Sequence, residues 1–156
     1  MRTRKQGGFT LIELIIVVAI IGLLAAALFV AVDPAKRIGE AQDATRWSNV
    51  TSILDAMLTY IADVQTIPTS ISGMNVNQYY VVGSGATDGS AVGCSEAGEL
   101  TTRSLYANLV DKYIATMPMD PGFTTSTNYY IKRSTNNRLT VGACSHYQTA
   151  SLEVQR

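Results

Sequence analysis

The rhythm of polar and apolar positions changes sharply along the chain. A basic, polar opening, MRTRKQGG, gives way at Phe9 to FTLIE and then to LIIVVAIIGLLAAALFVAV, residues Leu14 to Val32, which hold no charge, amide or hydroxyl. Nineteen residues of helix are about 28 Å long at 1.5 Å per residue, close to a hydrocarbon core of about 30 Å. A buried core helix is the alternative, but the rest of so small a chain offers too little apolar mass to wrap one on every side. The span is therefore expected to cross a membrane.

Asp33-Pro34 interrupts the run. Aspartate is a favoured N-cap and proline fits the first helical turn, so either a new helix starts here or one long helix kinks. Beyond it the period becomes helical and amphipathic. Trp47, Val50, Ile53, Leu54, Met57, Leu58, Ile61 and Val64 recur at spacings of three and four and predict one apolar stripe. Arg37, Glu40, Asp43 and Arg46 are expected on the wet side. Pro68 stops the helix through its restriction of the residue before it.

Residues 66–103 form a long Gly/Ser/Thr-rich connection, with a short strand expected at QYYVVG (78–83). From Ser104, the spacing of Leu105, Leu109, Val110, Tyr113 and Ile114 predicts a second helix, ended by Pro118 and Pro121. NYYIKRS (128–134) and RLTVGAC (138–144) read as strands around the hairpin residues Thr135-Asn136-Asn137, and HYQTASLEV (146–154) as a third. The fold class expected is α+β: a long N-terminal helix, membrane-spanning in its first half and amphipathic in its second, bearing a small antiparallel β-sheet head.

Charge adds an orientation. The formal net charge is zero, yet Arg2, Arg4 and Lys5 all precede the apolar span, which places that end in the cytoplasm and the remainder outside. Without these three, nine basic face twelve acidic side chains, a net charge of about −3. No basic patch points to nucleic acid as a partner. The two cysteines, Cys94 and Cys144, both fall in the outward part, where an oxidising compartment favours a disulfide; two buried thiols are the alternative.

The leader differs from a secretory signal, whose small-residue cleavage site follows the apolar region. Here the small pair Gly7-Gly8 precedes it. A hinge before a plain signal anchor would account for the glycines alone. The ordered set of basic leader, glycine, Phe9, Thr10, Leu11, Ile12, Glu13 and a long apolar helix containing Gly22 resembles the type IV pilins and the closely similar pseudopilins. The detailed likeness covers about the first thirty residues; MPMDP, before the expected sheet, is a further local phrase of that family.

The resemblance implies cleavage between Gly8 and Phe9 by a membrane-embedded prepilin peptidase, which also N-methylates Phe9. It implies that Phe9 and Glu13 act in assembly at an inner-membrane platform, and that the subunit leaves the membrane for a helical homopolymer at the cell surface. The implied organisation is a leader (1–8), a membrane and filament-core helix (9–32), its amphipathic continuation (33–65) and a head (66–156). Many family members carry a proline near the position of Val30; this chain has its first at Pro34.

Little else invites chemistry. Cys144 and His146 make a nucleophile pair only if they share one strand face, and no third orienting group accompanies them. Asp88, Asp111 and Asp120 are candidates for calcium, with DPGFTTSTN (120–128) as the place, although no D-x-D-x-D run exists. Solvated turn carboxylates are the plainer reading. Asn49-Val50-Thr51 matches a glycosylation sequon but lies inside the expected helix. The expectation is a structural subunit with no catalytic residue, no metal ligand set and no required cofactor. The rival is an uncleaved, signal-anchored surface enzyme or receptor.

Overall fold

The computed structural model describes residues 8–83, 102–123, 126–147 and 151–156. The chain divides into two units, up to Ile38 and from Gly39 onward. The first unit is dominated by α1, Leu11–Val32. Apart from Glu13 it is apolar on every side, and none of its residues is buried. So large an apolar surface requires an environment other than water. Asp33 closes α1 in a left-handed conformation (φ 44°), and α2, Pro34–Val64, follows at once. The expected capping holds: Asp33 Oδ1 accepts the Lys36 N–H at 3.4 Å, and Pro34, lacking an N–H, stands first in the helix.

From Gly39 the second unit forms around α2. Val50, Ile53, Leu54 and Met57 are fully buried, with Leu58 and Ile61 packed at the margin. The ends of the expected stripe stay outside: Trp47 is 50 % exposed and Val64 44 %. Gln65, at φ 59°, terminates the helix. A single helical turn, α3 (Thr69–Ser72), leads to β1, Tyr79–Val82.

The sheet runs in the order β2 (Thr102–Arg103), β1, β3 (Tyr129–Arg133), β4 (Leu139–Ala143), β5 (Glu153–Gln155). β3 (Tyr129–Arg133) and β4 (Leu139–Ala143) form the expected hairpin, paired from Tyr129–Ala143 to Arg133–Leu139. Its turn is tightened by Asn137 at φ 59°, a conformation asparagine tolerates. β1 and β5 (Glu153–Gln155) flank the hairpin antiparallel. The fold is thus the expected α+β arrangement of a long apolar helix with a four-stranded antiparallel sheet. A two-residue strand, β2 (Thr102–Arg103), extends it in parallel beside β1. Tyr80, Val82, Tyr129, Ile131, Leu139, Val141 and Ala143 join the α2 stripe in one core.

Three expectations need correction. The second helix is one turn only, α4, Tyr106–Leu109. Val110 turns extended, Asp111 is left-handed (φ 71°), and Val110 bridges back to Ile114. Leu105, Leu109 and Val110 still reach the core, so the apolar spacing is satisfied by a turn and a bend. The last strand is shorter than HYQTASLEV: His146 and Tyr147 lie outside it. Arg46 is not on the wet side; it is 5 % exposed.

Candidate functional site

The head of α1 is built from Thr10 and Glu13. Thr10 is the N-cap, with extended backbone (φ −81°, ψ 151°), and its Oγ1 accepts the Glu13 N–H at 3.3 Å. Glu13 Oε2 in turn accepts the Thr10 N–H and the Thr10 hydroxyl, each at 2.8 Å. This reciprocal capping box satisfies donors that a helix start would otherwise leave unpaired. The acid also stands where the helix dipole favours negative charge. Thr10 is the residue that sequence reasoning missed. Its signal was present: a threonine three residues before a glutamate, directly ahead of an apolar run.

The box also fixes where Phe9 stands relative to Glu13. Phe9 precedes the cap and is 91 % exposed, so in the unprocessed chain the two do not share a helical turn. Gly8 is also exposed, and a cut at this junction would expose the new amine one residue from the cap.

Along this stretch the protein-family model described as the prokaryotic N-terminal methylation motif matches residues 3–29. The chain carries the class III prepilin leader of type IV pilins and pseudopilins. No curated protein and no solved structure matches it. The prepilin motif implies processing by a prepilin peptidase. It points to a structural protein rather than an enzyme, and with the uncovered α1 it fits a membrane-anchored precursor.

Elsewhere, the sequence-based candidates are drawn into structural roles or fall outside the described residues. Asp120 is buried and bound bidentately by Arg46, Nε to Oδ2 at 2.7 Å and Nη2 to Oδ1 at 3.0 Å. The Gly122 N–H (2.7 Å) and Asn128 Nδ2 (3.4 Å) complete its shell. Asp111 is exposed in the bend after α4, and Asp88 lies outside the described residues. Among the described residues, no three His, Cys, Asp or Glu side chains gather as a metal site. Hydrogen bonding to Asp120, then to Asp43 at 2.8 Å, raises the Arg46 pKa above its already high ordinary value, so the guanidinium stays charged.

Cys144 is buried just after β4, and His146 lies beyond the strand, half-buried. Cys94 is outside the described residues. Asn49 donates to Tyr129 Oη at 2.9 Å and to the Met119 carbonyl at 3.2 Å, which ties the sequon's amide to the head instead of presenting it. Burial raises the Tyr129 pKa, offset in part by that Asn49 donor, so its phenol stays protonated.

Proposed function

We propose that the chain is a structural subunit that polymerises into a type IV filament at the cell surface. On this reading it is a pilin, with a pseudopilin of a secretion or DNA-uptake machine as the sister role. One observation carries the reading. The N-terminal methylation motif takes in most of a 22-residue apolar helix that the chain leaves uncovered and that holds a single carboxylate at its head. A helix of this kind suits lipid before assembly and the helices of other subunits afterwards. The head then occupies the outside.

The reading requires cleavage between Gly8 and Phe9 and methylation of the Phe9 amine. Mass spectrometry of the native protein is expected to find a mature terminus at N-methylated Phe9. An intact MRTRKQGG terminus would instead identify a signal-anchored surface protein. Electron microscopy of sheared surface filaments built mainly of this chain would favour a pilin over a pseudopilin.

Cys94 and Cys144 are proposed to be joined outside the membrane. Such a bridge closes a loop of about fifty residues and contributes about 4 kcal/mol in the chain-entropy treatment. Non-reducing peptide mapping should recover the two cysteines in one linked species. Recovery of both as alkylated thiols would refute the bridge.

A further inference from the structure

Proline follows aspartate directly at two places in the chain, Asp33-Pro34 and Asp120-Pro121. An Asp–Pro bond is the peptide bond best suited to break in acid without an enzyme. The aspartate carboxylate can close a small ring on its own carbonyl carbon. The proline nitrogen, in a tertiary amide with no N–H, takes up a proton more readily than an ordinary amide nitrogen and leaves more readily. The fold puts these two bonds in opposite situations.

Asp33, between α1 and α2, has its backbone in the left-handed region, φ 44° and ψ 80°, where a residue with a Cβ is strained. Asp33 and Pro34 are both exposed. The first turn of α2 holds both halves of the reacting pair. Asp33 Oδ1 accepts the Lys36 N–H at 3.4 Å. The Asp33 carbonyl accepts the Arg37 N–H at 3.3 Å, which draws electron density from the carbon to be attacked. The charged side chains beside it are those of Lys36 and Arg37.

Asp120 is the reverse case. It is 1 % exposed, and both of its carboxylate oxygens are held. Arg46 Nε reaches Oδ2 at 2.7 Å, while Arg46 Nη2 and the Gly122 N–H reach Oδ1 at 3.0 and 2.7 Å. The other titratable groups around it are Asp43, which also binds Arg46, and the Tyr129 phenol. To close on its own carbonyl, this carboxylate would have to leave the guanidinium, and acid and water would have to enter the core.

We propose that Asp33-Pro34 is an acid-labile joint, at which the folded chain cuts itself and frees everything from Pro34 onward from the apolar helix α1. A carboxylate oxygen of Asp33 bonds to the Asp33 carbonyl carbon, the C–N bond to Pro34 breaks, and a solvent proton goes to the proline nitrogen. Water then opens the cyclic anhydride. The net change is hydrolysis of one peptide bond. Asp33 is left as a C-terminal residue with two carboxyl groups, and Pro34 as a new secondary-amine terminus. Release from a membrane rests on the membrane-anchored reading of α1; the choice between the two bonds does not.

Full-length protein in phospholipid vesicles is held in mild acid, at a pH where the fluorescence of Trp47, the one tryptophan, still reports a folded head. The products are identified by mass spectrometry. A fragment of residues 34–156 is expected to form and to part from the vesicles on flotation. Asp33-Pro34 should be cut at least about tenfold faster than Asp120-Pro121, since a buried bond reacts only in the small opened population. The same acid with guanidinium chloride and a thiol reductant should cut both bonds at similar rates. Asp33→Ser, which keeps an N-cap but no carboxylate, should abolish the fragment, and Pro34→Ala should slow its formation. Equal cutting of the two bonds in the folded chain, or an undiminished fragment from Asp33→Ser, would overturn the proposal. So would a folded chain left intact by acid that cuts the denatured one. Protein that does not float before acid treatment lacks the anchor; that outcome counts against the membrane reading and leaves the two cutting rates to decide the joint.

Discussion

Glu13→Val subunits, expressed without the parent, are expected to be cleaved, methylated and held in the membrane, yet to form no filaments. An acid in an apolar span costs about 2.5 to 3.5 kcal/mol at mid-membrane on insertion scales and less near the interface. At the head of α1 the capping box meets much of that cost, because both polar groups of Thr10 donate to Glu13. The lone precursor therefore has its carboxylate satisfied without help, and valine in its place should insert at least as well.

The situation changes once Phe9 carries a free amine. A positive charge beside the cap competes with the neutral Thr10 donors for the same oxygen, and hydrogen bonds between ionised partners are roughly twice as strong as neutral ones. The amine can come from the subunit's own Phe9 or from that of a neighbour. Only the second rewards entry into a growing filament, since an unpaired charge in apolar surroundings gains most from a partner. Loss of filaments from Glu13→Val cells, with normal amounts of mature subunit in the membrane fraction, is the expected result. Filaments as abundant as the parent's would show that the carboxylate does not govern assembly.

Much of this was legible because it is local. The apolar span, the Asp33-Pro34 break and the β3–β4 turn each follow from a few neighbouring residues. The two-residue strand β2 has no period to read. The helix expected from Ser104 to the residue before Pro118 failed because its spacing required only that Leu105, Leu109 and Val110 reach the core, which one turn achieves. Arg46 was misplaced for a different reason. It lies four residues before Val50 and seven before Ile53, the same helix face as the core stripe. Angle placed it inside, and charge alone argued for the outside. Its partner Asp120, 74 residues away, was invisible from the helix.

That buried pair sets the largest stability effect expected in the head. Arg46→Ala should destabilise it by about 3 to 5 kcal/mol, the usual cost of stranding a buried charge. For a unit of this size the melting temperature should then fall by about 10 °C or more. Asp120 would keep only the Gly122 N–H and a long contact from Asn128, and the loop between α4 and β3 would lose its ionic tie to α2, keeping the bond from Asn49 to the Met119 carbonyl. Arg46→Lys should recover part of the loss, because a lysine keeps the charge but cannot offer two parallel donors to the carboxylate. Asp43→Ala should cost less than Arg46→Ala, since Arg46 retains Asp120 in its absence. Trp47, next in sequence and half-exposed, reports unfolding directly in urea titrations of the detergent-solubilised chain. The decisive measurement is the double-mutant cycle of Arg46→Met and Asp120→Asn. Coupling well above that of an exposed pair, which is about 1 kcal/mol or less, identifies the ion pair itself as the tie. Near-additive losses would assign Arg46 a packing role through its aliphatic stem.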